Sequence, residues 1–104
     1  MADRPWKRAE RQAAAALGGV RSGPTGRNSP DVSGVELSPE VKYQKRYALR
    51  AADLAQARAN ALPGKPWCLI LKQHRTRGAL VIMELDTFKD IYGRAYPSKE
   101  NQLG

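Results

Sequence analysis

The sequence predicts an α/β fold. Three observations carry that expectation: two alanine-rich stretches with helical apolar spacing, two short apolar runs of buried-strand length separated by a polar turn, and an apolar fraction of 41%, enough for one core. At 104 residues the chain is bounded to a single domain, placed at 1–94, with 95–104 expected to fray.

The elements follow in order. From Pro5 to Leu17, Trp6, Ala9, Ala13 and Leu17 fall on one helical stripe, and Gly18-Gly19 supplies the stop. Residues 20–30, with Gly23-Pro24-Thr25-Gly26 and two arginines, Arg21 and Arg27, read as a mobile basic loop. Strands are expected at 31–35 and 40–43, neighbours in space, with Pro39 bounding the second because it cannot donate to a ladder. Residues 48–62 form a second helix with a stripe through Ala51, Leu54, Ala55 and Leu62, closed by Pro63-Gly64. Runs at 67–72 and 79–83 make a hairpin across the turn at 73–78. A last helix is capped by Asp86 and ends before Gly93.

Composition narrows the function. Lys plus Arg is 18 against 10 Asp plus Glu, a net charge of +8, which favours a polyanionic partner, nucleic acid first. One cysteine and one histidine exclude a Cys/His zinc site, so metal chemistry has to use carboxylates. Cys68, inside Trp67-Cys68-Leu69-Ile70-Leu71, reads as a small buried hydrophobe in a reducing compartment. Charges throughout the first eleven residues replace the apolar stretch of a secretory signal, and no run approaches the ~18 apolar residues of a membrane span. A soluble, cytoplasmic protein without a membrane partner is expected.

Against the basic background, residues 30–40 carry Asp31, Glu36 and Glu40 and no lysine or arginine. Strand alternation puts Glu40 and Lys42 on one face and turns Val41 toward the core, while a return of the chain lets Asp31 meet them. Two acids supply hard oxygen ligands for Mg²⁺ or Mn²⁺, and an ammonium beside them suits hydrolysis of a phosphodiester.

The set Pro30-Asp31, Glu40-Val41-Lys42 and Tyr43-Gln44-Lys45-Arg46 resembles the PD-(D/E)xK nuclease superfamily, and within it the small Holliday junction resolvases of archaea and phages. The likeness spans roughly 6–93 and includes an opening helix with a glutamate, Glu10, a glycine-rich basic loop, and a helix with a glutamine, Gln56. It implies a restriction-endonuclease-like core, a central mixed β-sheet flanked by helices, and metal-dependent cleavage of DNA, branched in the resolvases, by a homodimer. The implied catalytic residues are Asp31, Glu40, Lys42 and Gln56; the implied metal set is Glu10, Asp31, Glu40 and Val41. Phosphate contacts are assigned to Arg21, Arg27, Lys45 and Arg46. Family members lead into the second motif with apolar residues; here Glu36-Leu37-Ser38-Pro39 stands there, so the strand is expected to start late and Glu36 rivals Glu10 or Glu40 at the metal.

Plainer readings exist for each residue. Asp31 fits a turn, Glu40 and Lys42 a solvated strand face, and Glu10 a salt bridge to a basic neighbour. Gln56 leans inward and fits a satisfied core amide, and Lys45, Arg46 and Arg50 fit a solvated face. His74 reads as an exposed turn residue, Tyr43 and Trp67 as packing aromatics. The competing function is a basic DNA-binding or architectural protein without catalysis. For a dimer interface, the available apolar residues are those of 79–83 with Phe88, Ile91 and Tyr92.

Overall fold

The computed structural model describes residues 4–23 and 28–98; Arg27 of the basic loop and the end of the tail lie outside them. The order is α1 (Pro5–Leu17), β1 (Val20–Arg21), β2 (Val32–Ser33), β3 (Ser38–Gln44), α2 (Ala51–Asn60), β4 (Trp67–Gln73), β5 (Leu80–Met83) and α3 (Leu85–Ala95). An α/β architecture with a mixed sheet results. β3 runs parallel to β4, β5 is antiparallel to β4, and the strand order is β3-β4-β5. β1 and β2 form a separate antiparallel pair.

The sheet has two different faces. On one, Val41, Cys68 and Ile70 pack with Ala9, Ala13 and Ala14 of α1 and with Val32. Small alanines let the helix approach the strands closely, so Trp6 and Leu17, at the ends of the expected stripe, remain exposed. On the other face the register sets Glu40 beside Leu69 and Lys42 beside Leu71, and α2 covers them. The apolar stripe expected on α2 docks only in part: Leu54 is half-buried, Ala51, Ala55 and Leu62 are exposed, and Ala57 is the helix's buried residue. The reason is the polar content of that face, which α2 meets with side-chain amides. The helix is also shorter than the expected 48–62: it runs Ala51–Asn60, preceded by Arg50 in an extended conformation and followed by Ala61, also extended.

Other boundaries shift for local reasons. β3 starts at Ser38 and runs through Pro39. That proline is tolerated because its carbonyl faces the free edge of the sheet, where it accepts the Asp31 N–H at 2.8 Å, so the missing N–H is no loss to the β4 ladder. Ser38 locks the start of the strand: its N–H donates to the Pro66 carbonyl (2.7 Å), its hydroxyl donates to Lys65 O (2.8 Å) and accepts from the Leu62 N–H (2.9 Å). Of residues 31–35 only Val32 and Ser33 form a strand; it lies beside β3 as expected, but its ladder partner is β1, inside what reads as loop. α3 is preceded by Glu84 without a side-chain cap, and it continues through Gly93 to Ala95. The hairpin at β4 and β5 and the span of α1 are as expected.

Two glycines after α1 do different work. Gly18 takes φ +76° and closes the helix, with its N–H and that of Gly19 directed to Ala15 O and Ala14 O. Gly19 is required for space: a Cβ there would stand 2.4 Å from Ser33 O and 2.8 Å from Val35 Cγ1. Gly19→Ala is therefore expected to destabilise by about 1–3 kcal/mol, as overpacking does. Urea unfolding of the variant checks this, and a stability equal to the parent would contradict the tight crossing of β1 and β2.

Candidate active site at the free edge of β3

β3 is an edge strand, and its outer side is closed by one residue. The Asp31 carboxylate Oδ2 accepts the Val41 N–H at 2.8 Å while the Asp31 N–H goes to Pro39 O. Because N–H and C=O of one strand residue point the same way, the Val41 carbonyl also faces this edge. Glu10 reaches the same place from α1, and Glu40, Lys42 and Gln56 from the other face. All six residues line a pocket of about 310 Å³, together with Trp6 and Tyr43.

The α2 side is set by matching repeats. Lys42 Nζ donates to Gln56 Oε1 at 2.6 Å and Asn60 Nδ2 donates to Glu40 Oε2 at 3.0 Å. Two residues along a strand advance about 6.6 Å and four along a helix about 6 Å, so an antiparallel helix brings residues 60 and 56 over 40 and 42 in register. Gln56 is exposed and is no core amide; its carbonyl oxygen aims the ammonium. Asn60 was not legible as a site residue, although its place one helical turn after Gln56 is the signal that identifies it.

Burial dominates the electrostatics. Glu40 is pushed up to about 7, first by desolvation and then by the neighbouring Asp31 carboxylate, while the Asn60 hydrogen bond and Lys42 oppose the shift. Glu10 is also raised, chiefly by burial and next by Asp31, with Arg21 and Lys7 opposing. Its side chain is 9% exposed; Oε1 lies 3.5 Å from Arg21 Nε, and Oε2 is buried with no hydrogen-bond partner. Arg21, read from the sequence as a phosphate contact, is thus half-buried against Glu10, and its guanidinium stands 5.7 Å from the Trp6 ring centroid.

The remaining predicted residues divide. Lys45 and Arg46 are exposed just beyond β3, where buried Gln44 fixes the exit by donating to Ala48 O (2.8 Å) and accepting its N–H (3.1 Å). Arg27 lies outside the described residues. Glu36 is 3.6 Å from Arg94, in a different cavity from Asp31 and Glu40. Trp67 is half-buried with the Arg58 guanidinium 5.3 Å from its ring centroid, and Tyr43 hydrogen-bonds to His74 Nδ1.

The donor set fits a hard divalent cation of modest protein coordination. Two adjoining carboxyls, one of them raised to about 7 first by desolvation and then by the charge of the other, a carbonyl on the same edge and an unpartnered buried oxygen of Glu10 all favour added positive charge. Among the described residues no three His, Cys, Asp or Glu side chains cluster as a metal cage. Mg²⁺ characteristically uses one or two carboxylates and keeps water for the rest, so Asp31, Glu40 and the Val41 carbonyl are the residues that would hold it. Bound there, a divalent cation supplies Lewis-acid charge and a more acidic water.

Comparison with known proteins gives no match, whether with family models, curated proteins or solved structures. Among the described residues no helix is long and apolar enough to cross a membrane.

The raised Glu40 has a consequence for stability. Between its unfolded value near 4.5 and its folded value of about 7, the folded state holds a proton that the unfolded state has released. With chelator present, stability is therefore greatest below about pH 4.5 as far as this group is concerned, and falls as pH rises to 7, by on the order of 2–3 kcal/mol. Glu40→Gln, which mimics the protonated form and keeps an acceptor for Asn60, should remove that fall and be the more stable protein at pH 8. Denaturant midpoints at pH 5 and pH 8 read the difference; parallel profiles for both proteins would remove Glu40 as the cause.

Proposed function

We propose that this protein is a divalent-metal-dependent endodeoxyribonuclease with a restriction-endonuclease-like core of the PD-(D/E)xK type, acting on branched DNA in the manner of a Holliday junction resolvase. The observation that carries the reading is the convergence of Asp31, Glu40, the Val41 carbonyl, Lys42 and Gln56, with Glu10 behind them, on one pocket at the sheet edge. In this reading Lys42, steered by Gln56, places positive charge against the phosphate and donates to the attacked phosphoryl group or its water. Asp31 and Glu40 would hold the cation that supplies electrophilic charge, and hydrolysis forms one P–O bond from the water oxygen as one P–O ester bond breaks, with one proton passing overall from the water to the leaving oxygen. A cytoplasmic setting suits Cys68, whose thiol is buried and pushed up to about 11 by burial.

One observation favours a second reading, a basic DNA-binding protein without catalysis: the Arg21 guanidinium already stands against Glu10, as a structural ion pair would have it. Incubating labelled four-way junction and matched duplex with Mg²⁺ and with chelator separates the two. Cleavage dependent on metal is expected, and Asp31→Asn or Glu40→Gln should reduce it by about 100-fold or more while DNA affinity is kept or improved. Lys42→Ala should lose turnover but keep metal affinity. An intact junction with the parent protein, or cleavage at parental rate in the carboxylate variants, overturns the nuclease reading.

The active species in this proposal is a homodimer formed through α3 and β5. α3 has no buried residue, and Leu85, Phe88, Ile91, Tyr92 and Tyr96 are each at least 40% exposed. Leu80 and Val81 on β5, the other edge of the sheet, are half exposed. Phe88, Tyr92 and Tyr96 form one contiguous aromatic row, with centroid separations of 5.9 and 5.0 Å. The occupant that fits is a second copy: Asp86 lies at one end of the helix and Arg94 at the other, so an antiparallel two-fold pairing sets opposite charges together at both ends. Sedimentation of Phe88→Glu/Tyr92→Glu at micromolar concentration should show monomer where the parent is dimer, and a cruciform plasmid should be nicked by the variant but linearised by the parent. A monomeric parent that only nicks would refute the assembly.

A further inference from the structure

β3 and β4 are parallel and end together, at Gln44 and Gln73. The segments that leave them are tied to each other: the His74 N–H donates to Gln44 O at 2.7 Å, and the Tyr47 N–H donates to Gln73 Oε1 at 2.7 Å. Residues 44–47 and 72–78 together contain Lys45, Arg46, Lys72, Arg75 and Arg77 and no carboxylate. The β4–β5 turn is also tightly built. Thr76 N–H and hydroxyl both donate to Gln73 O, at 3.3 and 2.8 Å, and Lys72 is consumed as a staple, donating to the carbonyls of Thr76 and Gly78.

What that scaffold presents outward is two arginines. Arg75 and Arg77 are exposed, and among the described residues neither has a carboxylate within ion-pair distance. Arg75 sits at φ +59°, the left-handed region where glycine is the unstrained choice. A long cation kept in that conformation implies a use for its side chain. The turn is coupled to the pocket as well. Tyr43 lines the pocket, and its hydroxyl hydrogen-bonds to His74 Nδ1; with Tyr43 as donor, the ring N–H of a neutral His74 is on Nε2.

We infer that the β4–β5 turn, through Arg75 and Arg77 and flanked by Lys45 and Arg46, is a phosphate-binding platform that receives the DNA backbone as it leaves the pocket past Tyr43 and His74. The inference rests on the proposed DNA-binding function and adds to it the surface the duplex follows. Rigidity favours it: a turn fixed by hydrogen bonds loses little freedom when its cations meet phosphates.

Titration of labelled duplex with the full chain in chelator, over about 50–200 mM salt, tests it without any cleavage step. The parent should show steep salt dependence, and Arg75→Ala/Arg77→Ala should flatten the log-log slope by about 2 and weaken binding at least about tenfold near 0.1 M salt. Arg75→Gly should flatten it by about 1 while the thermal midpoint is kept or raised, a combination that a purely structural arginine would not give. Lys89→Ala, on α3, should leave the slope unchanged. A parent without salt-dependent DNA binding overturns both the function and the platform. A parent that binds, with slopes unaltered in the turn variants or lowered equally by Lys89→Ala, overturns the platform alone.

Discussion

An edge strand leaves a row of main-chain groups without partners, and in this molecule one aspartate resolves that problem for β3. Asp31 gives its N–H to Pro39 O and takes the Val41 N–H on its carboxylate, so a two-bond stretch of ladder is completed by a single residue. Its side chain is thereby fixed beside Glu40. The position of Asp31 depends in turn on β2, which is held by β1 and by the bare backbone of Gly19. The site's geometry is therefore a by-product of how the sheet edge is closed. That is why a change as distant as a methyl group at Gly19 is expected to reach it.

The same closure explains why the site is costly. Glu40 is 3% exposed and Glu10 7%, and desolvation is the leading influence on both carboxyls. Around Glu40 the chain answers with an amide from Asn60 and an ammonium from Lys42; around Glu10 it offers a poorly aligned guanidinium, and one oxygen is left unpartnered. A fold selected for stability alone would replace such groups with apolar ones of similar volume. Their presence beside Lys42 and Gln56 is what weighs toward chemistry in the proposed reading and away from a solvated strand face.

How much of this was legible in the sequence differs by element. α1, the β4–β5 hairpin and the alternation of Glu40, Val41 and Lys42 follow from periodicity, because apolar residues there point at apolar neighbours. α2 departs from the expected stripe for the complementary reason: it docks on a face that mixes Leu69 and Leu71 with Glu40 and Lys42, so its contact side carries Gln56 and Asn60 beside buried Ala57. Pro39 inside β3 and β1 inside a glycine-rich loop depend on which edge of the sheet each faces, a fact of tertiary structure that local propensity does not contain. Arg21 shows the limit most clearly. Its charge is plain in the sequence, yet its pairing with Glu10 and its position over Trp6 arise because β1 runs back alongside α1.

The two edges of the small sheet are treated in opposite ways, and the difference bears on how the parts could act together. At β3 the edge is capped by Asp31 and surrounded by charge, so it is closed to another strand. At β5 no such device is found among the described residues: Leu80 and Val81 are exposed, and the following helix turns its aromatic row outward. Among the described residues no further strand covers that side of the three-stranded sheet. Self-association there would leave the β3 edge and its pocket free, while just beyond β3 and β4 Lys45, Arg46, Arg75 and Arg77 have no carboxylate within ion-pair distance among the described residues. Apolar surface at one edge and carboxylates with cations at the other are thus separated by the width of the sheet, so that the proposed self-association and the proposed phosphate contacts would not compete for the same residues.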